Sequence, residues 1–152
     1  PGLKWGITRA ERNDYRELLK GLDLGLEDRL TSRSVCLAGG QRQALTLLMA
    51  ALKKPKLLLL DEHTAALDPK TAAKVLALSD RIVEENHLTT MMVTHNMKDA
   101  IAHGNRLIMM YDGKVVIDVS GEDKKKLTVP DLLALFSKAS GSDEADDKLL
   151  LS

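Results

Sequence analysis

The chain predicts an α/β fold, with strands in a parallel sheet, flanking helices and a C-terminal β-hairpin. Three observations carry that prediction. Residues 57–60 are four consecutive leucines closed by Asp61 and Glu62, and a short apolar run bounded by a turn reads as a buried strand. A second apolar run, residues 89–94, ends at His95. Between them, Asp68-Pro69 opens a stretch with apolar residues at helical spacing, so that strand, helix and strand form a right-handed crossover. Unbroken apolar strands belong to parallel sheets covered on both faces, and the ligands of such sheets sit beyond the carboxyl ends of the strands. The crossover therefore predicts Asp61, Glu62 and His95 at one sheet edge.

Composition narrows the function classes. A length of 152 residues suits one domain, and 44% hydrophobic content is ordinary for a globular chain. The formal net charge of +0 gives no basic surface for nucleic acid or anionic lipid, and 3% aromatics weakens any base-stacking role. No nucleic-acid partner is expected. Cys36 is the single cysteine, so no internal disulfide forms, which fits a reducing compartment. No stretch reads as a signal peptide, and no apolar run approaches the roughly 20 residues that span a bilayer.

Taken in order, Thr8 and Glu11 form a capping box for a helix through about Lys20, with Tyr15, Leu18, Leu19 and Leu22 on one face. Gly39 and Gly40 open the next helix, which runs to about Lys53. Its residues 45–52 are apolar nearly all round, which predicts burial. Two glycines at a helix N-terminus leave N–H groups free and admit a close backbone approach, a ready anion site. Each favourable charge contact there contributes about 0.3–1 kcal/mol. Pro55 ends the helix, and the leucine strand follows.

At the strand end, Asp61 and Glu62 suit two tasks: holding a hard cation such as Mg²⁺ and orienting or deprotonating a water. They equally suit plain capping of a strand. His63 beside them reads as a solvent-facing loop residue in preference to a metal ligand or a base. Asp68 is an N-cap with Pro69 at the first turn. The helix it opens buries Ala72, Val75, Leu76, Ile82 and Val83. Residues 97–103 form a short helix closed by Gly104. Residues 106–111 and 114–119 pair as a hairpin across Asp112-Gly113, residues suited to a two-residue turn. Residues 121–126 are charged and read as solvated. Thr128 and Asp131 cap a last helix through about Lys138, and the small, acidic residues 140–147 read as flexible.

Four of these stretches together resemble a known family. Residues 37–41, L-A-G-G-Q, with Arg42 and Gln43 resemble the signature motif of ABC transporter nucleotide-binding subunits. Residues 57–62, L-L-L-L-D-E, resemble Walker B with its catalytic glutamate. Residues 65–68, A-A-L-D, resemble the D-loop, and Thr94-His95 resembles the switch histidine. Four motifs in the family's order make the match specific, and it covers residues 5 to about 119.

The resemblance implies a partial P-loop NTPase-type sheet. Residues 1–37 are then the end of the helical subdomain, residues 38–138 the C-terminal part of the ATPase core, and residues 139–152 a flexible acidic tail. It implies ATP and Mg²⁺ as cofactors, with Asp61 on Mg²⁺ through water, Glu62 acting on the attacking water and His95 on the γ-phosphate. Leu37, Ala38, Gly39, Gly40 and Gln41 would meet the nucleotide held by a second ATPase subunit, and Asp68 would bridge the two subunits of a homodimer. Transmembrane permease subunits, and indirectly a solute-binding protein, are the further implied partners, at the cytoplasmic face of the cell membrane. The run D-E-H-T-A-A-L-D is similar to a subgroup of bacterial importers and leans towards a small organic solute such as an amino acid.

The chain also departs from the family pattern. Ala38 stands where the family has Ser, so phosphate contact would rest on backbone amides. His63 stands where the family usually has Pro. No G-x-x-x-x-G-K-[ST] loop occurs in these residues; the Gly113-Lys114 pair lies in the hairpin turn. The expectation is a C-terminal portion of a longer ATPase, inactive alone, that exposes sheet surface and associates through it. The alternatives are a non-catalytic interaction or regulatory module with an ABC-like fold, and a soluble ABC ATPase outside transport. The latter is marked by coiled-coil insertions or basic arms, and neither appears.

Overall fold

The structure is a computed structural model that describes residues 9–21 and 39–141. The chain divides into two units between Met92 and Val93. Leu37 and Ala38 of the signature stretch, the capping Thr8, Leu22 and residues 142–152 of the acidic tail lie outside the described residues, as do the side chains of Glu11, Tyr15, Leu18 and Leu19.

The first unit holds α1 (Arg9–Gly21), α2 (Gly39–Leu52), β1 (Leu58–Asp61), α3 (Pro69–Glu85) and all but the last residue of β2 (Thr90–Val93). Helix α3 begins where its sequence demands. Asp68 has an extended backbone and its side chain accepts the Thr71 amide at 3.0 Å, with Pro69 supplying a first helical residue that needs no amide partner. It ends at Asn86, whose amide and side chain both donate to the Ile82 carbonyl. β1 pairs with β2, and the Leu58 amide donates to the Thr89 carbonyl at 2.9 Å.

Ala44, Leu47, Leu48 and Ala51 of α2 pack with Leu58 of β1, Leu78 and Ile82 of α3, and Leu88. Val75, Leu76 and Ile82 of the expected α3 stripe are buried, whereas Ala72 and Val83 are half-buried, and Leu78 and Ser79 join the buried set. Two expectations need correction. The leucine strand is covered on one face, not both: Leu58 is buried while Leu59 is 64% exposed, and Met91 of β2 is 56% exposed. Successive side chains of a strand point to opposite faces, so the helices that cover Leu58 leave Leu59 uncovered. Helix α2 is likewise buried along one stripe, with Met49 exposed.

The second unit holds α4 (Met97–Ala102), β3 (Arg106–Tyr111), β4 (Lys114–Ser120), α5 (Gly121–Lys125) and α6 (Val129–Ser140). β3 and β4 are antiparallel, with Tyr111 opposite Lys114 and an irregularity between Met109 and Met110. The turn residues Asp112 and Gly113 have φ of 48° and 72°, the left-handed pair that a two-residue hairpin requires. The Thr128–Asp131 capping box is complete: the Asp131 amide donates to Thr128 Oγ1 at 3.3 Å, and the Thr128 amide donates to Asp131 Oδ2 at 3.0 Å. Gly141 ends α6 in the left-handed conformation. Leu107 and Ile117 of the hairpin meet Leu132 and Phe136 of α6, and Tyr111 stands edge-on to Phe136 at 5.3 Å between ring centres.

Residues 121–126 are exposed as their charge predicts, with one exception: residues 121–125 form α5, and its Lys124 is only 3% exposed. Its ammonium donates to the carbonyls of Ile101, at 2.5 Å, and His103, at 3.0 Å. Those carbonyls lie at the C-terminal end of α4, where helical partners run out and a cation is favoured. Burial pushes the Lys124 ammonium below its ordinary pKa.

Candidate functional site

The motif residues of the first unit converge on the loop between β1 and α3. Asp61 is the last residue of β1 and is exposed; Glu62, the first beyond it, is exposed with φ of 44°. A positive φ is uncommon for a residue with a side chain and costs about 1–3 kcal/mol where the surroundings impose it. Two turn bonds shape the loop: the Ala65 amide donates to the Glu62 carbonyl at 3.0 Å, and the Leu67 amide to the Thr64 carbonyl at 3.1 Å. Asp68 closes the loop as the cap of α3. Its hydrogen bonds from Thr71 hold its carboxyl below the usual carboxylate range.

The start of α2 lies against this loop. A Cβ on Gly39 would come within 3.2 Å of Leu67 Cδ2, tighter than an ordinary contact, so any larger residue there would require Leu67 to give way. Gly40 is buried and Gln41 half-buried. The first turn of α2 carries no acidic residue, which leaves its amides and the positive end of its dipole suited to an anion. The structure thus brings Gly39, the loop of residues 62–67 and Asp68 together.

His95 belongs to the second unit and is exposed. It sits between two locally bonded residues: Thr94 Oγ1 accepts the Asn96 amide at 3.0 Å, and the Asn96 side chain caps α4 by accepting the amides of Lys98 and Asp99 at 2.9 and 3.3 Å. Among the described residues no group of three or more His, Cys, Asp or Glu is arranged to hold a metal ion. A single exposed carboxylate such as Asp61 fits Mg²⁺, which keeps several waters and takes one or two carboxylates alongside substrate phosphates.

The solvent-facing reading of His63 is corrected. The residue is half-buried, and its Nε2 lies 3.0 Å from Ser79 Oγ on α3. Sequence reasoning missed Ser79. Its signal was a serine at helical spacing within the apolar stripe, four residues after Val75.

Comparison with known proteins places this geometry in a family. Residues 7–65 match the family model described as ABC transporter. Over 131 residues the chain is 50% identical to the tyrosine transport ATP-binding protein of Clostridioides difficile, covering 86% of this chain and 52% of that protein. It is 37% identical over 113 residues to an aliphatic sulfonates import ATP-binding protein of Paraburkholderia xenovorans, covering 74% of this chain and 33% of the relative. With the methionine import ATP-binding protein of Streptococcus pneumoniae it shares 35% over 150 residues, covering 95% and 41%. The chain thus spans about half or less of the length of these relatives.

Among solved structures, an inward-facing putative metal-chelate type ABC transporter matches with a TM-score of 0.56 at 30% identity, over 88% of this chain and 52% of that one. An ATP-binding cassette of an ABC transporter in its ADP conformation matches with a TM-score of 0.59 at 21% identity over the same shares, a likeness of fold alone. Among the described residues no helix is long and apolar enough to cross a membrane. Motifs, fold and relatives agree, and the chain belongs to the ABC transporter ATP-binding family.

Proposed function

We propose that this chain is the C-terminal part of the ATP-hydrolysing subunit of a bacterial ABC importer. The observation that carries the reading is the loop of residues 62–67, which follows Asp61 and Glu62, ends at Asp68 and packs against the glycine-opened start of α2. Residues 1–37 are then the end of the helical subdomain, residues 38–138 the C-terminal part of the core and residues 139–152 the tail.

In this reading Asp61 holds Mg²⁺ through water, and the ion, when bound, draws charge from the phosphate oxygens. Glu62 orients the attacking water and takes its proton. His95 donates a hydrogen bond to the γ-phosphate. Leu37, Ala38, Gly39, Gly40 and Gln41 present backbone amides to the nucleotide of the second subunit in the homodimer, and Asp68 joins the subunits. Closure of two such subunits drives permease subunits between conformations at the cytoplasmic face of the membrane, with solute delivered by a binding protein. The relatives named for tyrosine, methionine and aliphatic sulfonates support a small organic solute.

The 152 residues contain no phosphate loop. Without its amides and its lysine the β- and γ-phosphates lack their cradle, so this polypeptide alone binds ATP weakly and does not turn it over. The decisive experiment extends the reading frame upstream of Pro1 and assays the product. A G-x-x-x-x-G-K-[ST] loop after a strand, with turnover that depends on Glu62, supports the proposal. A frame without that loop overturns it and makes a binding or regulatory role the leading one.

A further inference from the structure

The loop after β1 is tied to α3 by a side-chain hydrogen bond that this mechanism does not use. His63 Nε2 lies 3.0 Å from Ser79 Oγ, and Ser79 Oγ, which is buried, donates to the Val75 carbonyl at 2.9 Å. A hydroxyl has a single hydrogen. With that hydrogen on Val75, Ser79 would offer His63 only an acceptor, for a hydrogen on His63 Nε2. The contact ties the loop to the buried side of α3.

The tie lies next to the backbone that most needs one. Glu62 immediately precedes His63 and has φ of 44°. Among the described residues, Lys54, His87 and Asp112 also have positive φ without being glycine, but Lys54 and His87 each follow the end of a helix and Asp112 sits in the two-residue hairpin turn, where left-handed residues are ordinary. Glu62 follows a strand. Its conformation depends on what holds the chain on either side: β1 before it, and the His63–Ser79 bond with the Ala65–Glu62 turn after it.

We propose that His63 is a positioning residue for Glu62. By donating from Nε2 to Ser79 Oγ, it clamps the loop to α3 and fixes the direction of the carboxylate. The proposal rests on the role given above to Glu62, and it deepens that reading. In this role His63 acts through the backbone of its neighbour and not on the reacting groups directly. Direction matters because a displacement of about 1 Å in a reacting group can cost on the order of 100-fold in rate.

The test uses the full-length protein that contains this chain, with steady-state ATP turnover, thermal melting and imidazole ¹⁵N NMR on the same preparations. His63→Leu lowers kcat about 10- to 100-fold and leaves KM for ATP unchanged. His63→Gln, whose amide can donate to Ser79, recovers most of the rate. Ser79→Ala falls as His63→Leu does, and the double variant is no slower than either single one, because both remove one interaction. A folded His63→Leu protein that turns over at the wild-type rate overturns the proposal, as does failure of His63→Gln to recover activity.

The NMR spectrum separates this proposal from the reading beneath it. Hydrogen on His63 Nε2 is expected whether or not the protein hydrolyses ATP, and hydrogen on Nδ1 alone overturns the clamp. A wild-type protein with the Nε2 hydrogen but no turnover overturns the ATPase reading, and the positioning role falls with it.

Discussion

Two turns of this chain reach left-handed backbone by different means. In the second unit, Asp112 and Gly113 have φ of 48° and 72°, and they are residues that tolerate those angles within a hairpin that asks for them. In the first unit, Glu62 has φ of 44° without a residue type suited to it. In the proposal above it is held from a distance, through His63 on Ser79. The hairpin turn has the residues its geometry wants. The loop after β1 has the residues its chemistry wants, and tertiary contacts supply the geometry. Sequences break local rules of this kind mostly at functional sites.

The strongest challenge to that contrast is Glu62→Gln in the full-length protein. It keeps size and backbone but removes the base, and ATP turnover should fall by about 10²-fold or more. Turnover near wild type would reduce Glu62 to a strained strand end. Next in size is Lys124→Met, which keeps much of the buried stem while leaving the Ile101 and His103 carbonyls without their donor. Denaturant unfolding should show a loss of about 1–3 kcal/mol, with turnover per folded molecule unchanged. A fall in turnover at equal folding would mean that the second unit's buried cation serves more than structure.

Exchanging side chains at the two turns sharpens the comparison directly. Gly113→Ala puts a Cβ at φ of 72° and should cost about 1–2 kcal/mol. Glu62→Gly should do the opposite, raising stability by up to about 1 kcal/mol as strain is relieved while abolishing turnover. If Glu62→Gly is destabilising, the strained backbone is not what the loop contacts hold.

The smallest expected effect is on pH dependence. Hydrogen bonds at the helix caps hold Asp68 and Asp131 below their ordinary value of 3.8. Their folded-state pKa is depressed, so their stabilisation is present above about 3.8 and is lost as pH falls through the lower folded values. Asp68→Asn and Asp131→Asn should each flatten the acid limb of a stability–pH curve, read by circular dichroism, with little change at neutral pH. An unchanged acid limb would show that these caps do not stabilise through their charge.

Much of the fold was legible because its signals are local. The Asp68-Pro69 start of α3, the Thr128–Asp131 box and the Asp112-Gly113 turn each depend on a few adjacent residues, and each stands where the sequence places it. Three features were not legible. Charge alone marked residues 121–126 as solvated, yet Lys124 is buried because carbonyls at the end of α4, about 20 residues away along the chain, need a donor. Four leucines in a row marked a strand covered twice, but burial depends on what packs on each face, and Leu59 is exposed. His63 reads as solvent-facing from the sequence because nothing in its neighbourhood along the chain reveals Ser79. The site shows the same division: the residue types of Asp61, Glu62, Gly39 and Asp68 were visible as motifs, while the approach of Gly39 to Leu67 was not.

The sequence by itself determined most of the helices, strands and turns, where the caps of α3 and α6 fall, and which family the motifs resemble, because those signals act over one or two turns of backbone. Tertiary structure alone decided which face of β1 is covered, that Lys124 serves the end of α4, and that His63 reaches α3 beside Glu62. Each of those outcomes depends on a partner distant in sequence, and a buried polar group takes whatever partner the fold brings within hydrogen-bonding distance.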